Sequence, residues 1–332
     1  MNADRSESRT SEDERRPMLA GPKRHHYLPK FYLKGFLGDD GCLAVYDRSS
    51  DTVRRQQPEN TGVEGHLYTL TDDQGRKRYE LEHALSQIES AAATTLPLLI
   101  EGQSLTKQQR AELSLFFAAM AVRTPEFLSN LSHANGELIK KLSRFMLADE
   151  EAVLSHLREM PHHASKDEAE LRAEARGMMD LVRRGNYDVT VHKEYVVKMA
   201  LPLAPSLAPI FASRLWAVFS APKGASFITT DAGILLTSTS PANRSPWMGL
   251  GHGSPDAITY IPLDATHALA MWGRGGDTYY RPRGRTEIRR MNLAMARQSL
   301  RYVIARDDKL VLSLSKAASL GSSGWTPRFQ VG

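Results

Sequence analysis

Apolar positions along the chain change period twice. From about residue 38 to residue 70 they come in short runs bounded by turn residues. Cys42-Leu43-Ala44-Val45-Tyr46 is launched from Gly38-Asp39-Asp40-Gly41 and followed by the turn Asp47-Arg48-Ser49-Ser50. Thr52 to Gln56 then returns, which predicts a β-hairpin. Gly65 to Leu70 predicts another short strand before the turn Asp72-Asp73-Gln74-Gly75.

From Tyr79 the period becomes helical. Leu81, Leu85, Ile88 and Ala92 recur on one face, with Glu82, Ser86 and Glu89 on a neighbouring stripe. Thr106-x-x-Gln109 is a capping box that leads into Leu113, Phe116, Phe117 and Met120. The run stops at Arg123-Thr124-Pro125-Glu126, where Thr124 suits an N-cap and Pro125 the first helical position. Glu126 then favours the positive end of the dipole. Phe127, Leu131, Ala134, Leu138, Leu142 and Phe145 mark a long amphipathic helix. Ser165-x-x-Glu168 predicts the start of the next, ended by Gly185-Asn186. Between His192 and Phe211, Pro202, Pro205 and Pro209 break or kink any helix.

The last third is strand-like again. Leu215–Phe219 and Ser226–Thr230 flank Pro222-Lys223-Gly224, which predicts a second hairpin. Ile234–Thr237 adds a strand, and residues 238–256, rich in Ser, Pro and Gly, read as a loop. Ala257–Leu263 and Ala268–Trp272 are further strands, Asn292–Leu300 a short helix and Tyr302–Ala305 a closing strand. Strands at both ends with helices between them predict one α+β domain. In it a mainly antiparallel sheet from N- and C-terminal strands packs against a central helical block, about residues 79–212. The domain is expected to span 23–312, between a disordered tail at 1–22, with almost nothing to bury, and a flexible C-terminal tail at 313–332.

Composition narrows the class. A hydrophobic share of 41% with 24% charged residues suits a globular chain. A formal charge of +5 permits an anionic partner without demanding one. Cys42 is the only cysteine, so no intrachain disulfide forms and a reducing compartment is expected. The charged N-terminus argues against a signal peptide, and no run approaches the roughly 20 apolar residues of a membrane span. The expected location is cytoplasmic, without membrane contact.

Candidate chemistry starts at Lys23–Phe36, which reads Lys-Arg-His-His-Tyr-Leu-Pro-Lys-Phe-Tyr-Leu-Lys-Gly-Phe. Pro29 biases Leu28 toward an extended conformation and opens a short helix, with Gly35 at its end. His25 and His26 then lie on a strand-like approach and point to opposite faces, so they do not share one ion. The plain alternative is one packed, hydrogen-bonded histidine and one facing solvent.

His25-His26-Tyr27-Leu28-Pro29, followed by Phe31-Tyr32-Leu33 and Phe36, resembles the opening signature of a bacterial family, domain-of-unknown-function family 4238. Gly65–Thr69, Leu81-Glu82 with Ile88-Glu89, Arg123-Thr124-Pro125, Phe227–Asp231 and Ile261-Pro262-Leu263 are similar, in order, to that family's later motifs. The resemblance covers about residues 23 to 305. One departure is Asp231-Ala232-Gly233, where the family usually continues Asp with Asn-Pro. The resemblance implies a shared fold and no established activity.

The candidate catalytic set is His25, His26, Glu82, Glu89, Arg123 and Asp231. Asp231 ends an apolar strand, where it either holds a cation or bonds the backbone of a turn. Glu82 and Glu89 share a helix face but stand about 10 Å apart along the axis, too far to grip one ion together. Arg123, if buried, requires a carboxylate such as Glu89 or Asp231. His26, Glu89 and Asp231 form the candidate metal set, since imidazole and carboxylate suit a divalent ion that activates water. Tyr279-Tyr280-Arg281-Pro282-Arg283-Gly284-Arg285, with Arg289 and Arg290, is the clearest basic stretch and the candidate nucleic-acid contact. Charge runs on loops are more often only solvated. Gly249-x-Gly251-His252-Gly253 neither follows a strand nor opens a helix, so it is not a dinucleotide loop. Cys42 lacks a neighbouring histidine and reads as structural, and His162-His163 read as exposed.

Two readings stay open. One is a metal-dependent hydrolase, phosphodiesterase- or nuclease-like, acting on nucleic acid or nucleotides. The other is a non-catalytic binding or scaffold protein whose His/Glu/Asp cluster is structural.

Overall fold

The structure, a computed structural model, describes residues 18–163, 165–185, 187–239 and 249–318. The chain divides into two compact units, Met1–Phe127 with Val197–Gly332, and Leu128–Val196.

The fold is α+β. In the larger unit, β1 (Arg24–His26) leads into the short helix α1 (Lys30–Lys34), with Pro29 before it and Gly35 at its end. The expected first hairpin forms between β2 (Leu43–Asp47) and β3 (Thr52–Gln56). The next strand is shorter than its sequence suggests. Val63–Gly65 (β4) pairs with β1, whereas Leu70–Thr71 (β5) pairs with Lys77–Arg78 (β6). Gly62, at φ +64°, joins this ladder where a Cβ would meet Leu28 at 2.7 Å, so only glycine fits.

Helices α2 (Glu80–Ile100) and α3 (Lys107–Val122) follow, and α3 carries the Thr106–Gln109 capping box. Thr124 caps α4 (Pro125–Met146) by accepting from the Phe127 N–H at 3.2 Å. In the smaller unit, α5 (Glu150–Glu159) and α6 (Glu168–Arg184) pack through Val153, Leu154 and Leu157 against Leu171 and Ala175. The cap of α6 is Asp167 with Glu170, not Ser165 with Glu168, because the Asp167 carboxylate accepts from the Glu170 N–H at 2.8 Å. Gly185, left-handed at φ 69°, ends that helix. His163 is buried beside Glu174, contrary to its expected exposure. Leu138, Leu142 and Phe145 of the amphipathic stripe stand exposed.

Helix α7 (Lys193–Ala200) gives way at Leu201-Pro202 to α8 (Leu203–Ala212), as the prolines require. Against expectation, Lys193–Ala212 is long and apolar enough to cross a membrane by length and composition. Its second half packs along α3, and core helices of folded domains pass the same test.

The remaining strands build two sheets. β7 (Leu215–Ser220), β9 (Leu235–Ser238), β10 (Ala257–Pro262), β11 (His267–Trp272) and β12 (Thr278–Pro282) form a sheet in the order β12-β7-β11-β10-β9. It is antiparallel except for the β12–β7 pair. β8 (Thr229–Thr230) and β13 (Tyr302–Ala305) join the N-terminal hairpin as β3-β2-β13-β8. Sequence-distant ends thus share one antiparallel sheet, as expected.

The second hairpin does not form. β7 pairs with β11 and β12, while β8 crosses to the other sheet. Pro222 has no N–H to continue a ladder, and Asn292 takes over both backbone groups at the crossing. Its amide donates to the Ser226 carbonyl at 2.8 Å and accepts from the Ile228 N–H at 3.3 Å. Asn292 lies on α9 (Arg285–Gln298), which starts earlier than the apolar pattern suggests. α10 (Asp308–Ala317) continues past residue 312, capped by Asp307. Of the expected N-terminal tail, residues 18–22 pack onto the start of α2, where the Tyr79 N–H donates to the Met18 carbonyl at 3.0 Å. Residues 1–17 and 319–332 lie outside the described residues.

Candidate functional site

Strand β1 sets the two histidines on opposite faces. His25 is fully buried and both ring nitrogens are engaged. Nδ1 accepts from the Tyr68 N–H at 2.9 Å, which leaves the proton on Nε2, and Nε2 donates to the Pro22 carbonyl at 2.8 Å. The imidazole stacks on Tyr68 at 5.6 Å between centroids, with the Glu82 carboxylate 3.9 Å from Nδ1. His25 therefore ties the residues before β1 to the turn after β4.

His26 is half-buried, and its Nε2 is buried without a hydrogen-bond partner among the described residues. Burial, Lys30 and Arg24 lower its pKa, while the Glu59 backbone and Glu89 oppose them. The ring is held neutral near neutral pH.

Arg123, only 1% exposed, is the hub between β1 and the helices. Its Nε donates to the Tyr27 carbonyl at 3.0 Å and Nη1 to Glu89 Oε1 at 2.7 Å. Its own carbonyl accepts from the Tyr68 hydroxyl at 2.7 Å. The carboxylate required by a buried Arg123 is Glu89. Nη2 is buried without a partner among the described residues.

Asp231 sits where β8 ends, in a pocket of main-chain donors at the start of β13. Its carboxylate accepts from the N–H groups of Leu300, Arg301 and Tyr302 at 3.0, 2.5 and 3.1 Å. Burial pushes its pKa up to about 6, against the pull of those bonds. The turn after it replaces Asn-Pro by Ala232 and Gly233, whose φ of +67° and contacts with Met120 and Leu28 need a glycine. Thr230 Oγ1, beside Asp231, is also buried without a partner among the described residues.

Two further carboxyls face this junction. Glu82 is raised to about 7 by burial and by Glu89, with Arg123 opposing. Glu126 is raised to about 7 by burial and by Asp231. Glu126 belongs to the site although its position suggested only a dipole role. Its signal was Pro125, which fixes the first helical residue and so puts Glu126 in the turn facing the strand end. Burial drives the Tyr27 and Tyr68 phenols far above their ordinary value, so both stay protonated. Arg48, buried and also within reach of Asp231, donates to the Ser299 carbonyl.

The structure thus couples His26, Glu82, Glu89 and Arg123 to one another, and Glu126 to Asp231. It does not close His26, Glu89 and Asp231 around one ion. Among the described residues no group of three or more His, Cys, Asp or Glu is placed to hold a metal. Glu89 is committed to Arg123 and Asp231 to main-chain donors.

The arginine stretch divides between surfaces. Arg281 is exposed on the edge strand β12. Arg283 stacks on Phe219 at 4.1 Å and pairs with Glu287 at 3.0 Å. Arg285 donates to the Lys223 carbonyl and Arg289 to the Ser313 hydroxyl. Arg285 and Arg289 line one cavity, of about 570 Å³, together with Arg306 and Lys309. Arg290 lines another, with Arg283. Adjacent helix residues differ by about 100° around the axis, which is why Arg289 and Arg290 part.

The model of a protein family of unknown function, DUF4238, matches residues 24–309, in agreement with the motifs read from the sequence. No curated protein and no solved structure matches the chain.

Proposed function

This chain belongs to the DUF4238 family, and from that premise we propose that its polar junction is the site of a hydrolase acting on a small anionic ester, a phosphodiester or nucleotide. One observation carries the reading. Two carboxyls are raised to near 7, Glu82 beside Arg123 and Glu126 beside Asp231, and Arg123 and His26 each keep one buried nitrogen without a partner among the described residues. A carboxyl near the working pH is populated in both protonation states, as general acid–base catalysis needs. Unpartnered buried donors and acceptors are costly unless a ligand meets them.

In this reading Arg123 Nη2–H donates to a phosphoryl oxygen of the ester, while His26 Nε2, the lone-pair nitrogen of a neutral ring whose other nitrogen bonds the Glu59 main chain, accepts from the attacking water. Glu126, raised to about 7 by burial and by Asp231, is ionised in a large share of molecules at neutral pH and in that form takes a proton from the attacking water. Glu82 has the Glu89 carboxylate beside it, which favours its protonated form, and it gives a proton to the leaving oxygen. The new P–O bond forms to water as the ester P–O bond breaks, and the two carboxyls exchange roles.

The test is turnover of bis(p-nitrophenyl) phosphate by the full chain, with and without Mg²⁺, Mn²⁺ or Zn²⁺. Glu126→Gln and Glu82→Gln should each lower it by about 10²–10⁴-fold, the usual contribution of general acid–base groups, with the fold retained. No turnover under any condition, or wild-type rates in both variants, contradicts it.

A second, non-catalytic reading has its own support. His25 and Asp231 have their polar atoms engaged by main-chain groups, so this part of the cluster acts as a clamp between sequence-distant strands.

A further inference from the structure

The face of the five-stranded sheet covered by α9 contains a second cavity, of about 450 Å³, apart from the polar junction. Its wall is apolar: Phe219, Leu235, Ile258, Ala270, Trp272 and Met291. The ladder explains why these meet. Ala270 faces Tyr260, and Tyr260 faces Leu235, along one row across three strands.

Thr237, Thr239 and Arg290 also line it, and two further lining residues carry buried polar atoms. Tyr260 is 4% exposed, and its hydroxyl is buried without a hydrogen-bond partner among the described residues. The Nε of Arg283 is likewise buried and without one, although the same guanidinium stacks on Phe219 and bonds Glu287 through Nη1. Both residues line the cavity, and Arg290 adds a second cation. Each of these two lining residues thus carries a buried donor that no described residue satisfies, in a cavity whose charged lining residues are arginines.

We propose that this cavity binds an amphiphilic small molecule, an apolar body with one anionic head, a carboxylate or a phosphate, that accepts hydrogen bonds from Tyr260 Oη and Arg283 Nε. The apolar wall takes the body, and pockets of this size and composition with few polar groups are typical ligand sites. Arg283 already has Glu287 as its counter-ion, so an anionic head would be met chiefly by the charge of Arg290 and by the Arg283 Nε–H. Burial holds the Tyr260 phenol protonated, so it donates throughout the physiological range.

Calorimetric titration of the full chain with decanoate, decyl phosphate and decan-1-ol tests this. At least one of the two anions should bind saturably, about tenfold or more tighter than decan-1-ol, the loss expected for a hydrogen bond to a charged group. Tyr260→Phe and Arg283→Gln should each weaken the anion about tenfold and weaken decan-1-ol less. Tyr260→Phe removes an unpartnered hydroxyl, so its ligand-free Tm should match or exceed that of the wild type. Ala294→Phe, which fills the cavity, should abolish binding of all three. The proposal is overturned if neither anion binds, if decan-1-ol binds as tightly as both, or if Tyr260→Phe and Arg283→Gln bind the anion like the wild type.

Discussion

Arg123 Nη1 donates to Glu89 Oε1 at 2.7 Å, joining the C-terminal end of α3 to the middle of α2. The pair is asymmetric: the arginine side chain is 1% exposed and the glutamate 26%. Removing the carboxylate leaves the guanidinium buried without a counter-charge, whereas removing the guanidinium leaves only a partly solvated carboxylate. Glu89→Gln should therefore lower unfolding free energy by about 3–5 kcal/mol, as for a broken buried ion pair. Arg123→Met, which removes the buried charge itself, should cost less, about 1–3 kcal/mol for the Tyr27 carbonyl left without its donor. Urea denaturation of the two variants checks the order, and an equal loss would show that burial does not decide it.

Asp231 should behave as a clamp on the start of β13. Asp231→Ala leaves three main-chain donors without an acceptor and should cost about 2–4 kcal/mol. Asp231→Asn keeps one acceptor oxygen and should cost less. Hydrogen exchange at Leu300, Arg301 and Tyr302 reports the same loss locally, and protection unchanged in Asp231→Ala would refute the clamp.

Stability should fall as pH rises through the neutral range. Glu82 and Glu126 rise from an ordinary glutamate value to about 7, and Asp231 to about 6. The folded state therefore binds more protons than the unfolded chain, and stability present at about pH 4 is lost as pH climbs through those folded values. His26 and His252 act in the opposite sense. Burial lowers both, His252 to about 4, so their contribution is lost as pH falls below the ordinary histidine value. Thermal unfolding of wild type between pH 5 and 8 should show the alkaline decline, and Glu82→Gln with Glu126→Gln should flatten it. A steeper decline in the double variant would contradict the assignment.

Binding of single-stranded DNA should depend on Arg285 and Arg289 more than on Arg283. The first two share a cavity with Arg306 and Lys309, whereas Arg283 is already stacked and paired. Replacing Arg285 and Arg289 together should reduce the salt slope of binding by about 1.4, roughly 0.7 for each phosphate no longer neutralised on a single strand. Replacing Arg283 should leave the slope unchanged. Filter binding at several salt concentrations distinguishes the two.

What the sequence made legible follows from how local each signal is. The β2–β3 hairpin, the Thr106–Gln109 box and the break at Pro202 depend on neighbours in the chain, and all are present. The pairing of β7 depends on β11 and β12, some fifty residues on, and nothing in Pro222-Lys223-Gly224 announces it. The site shows the same division. The opposite facing of His25 and His26 follows from strand alternation, and the need of Arg123 for a carboxylate follows from burial. Pro125 makes Glu126 legible as a first-turn residue of α4 but not its raised pKa, which arises from burial and from Asp231, far along the chain.

The most direct measurement is the titration of Glu82 and Glu126 themselves. In protein labelled with ¹³C at glutamate side-chain carboxyls, two resonances should titrate near pH 7, one absent from Glu82→Gln and the other from Glu126→Gln. Titration of both at the ordinary glutamate value would contradict the account, since neither carboxyl could then carry a proton at neutral pH.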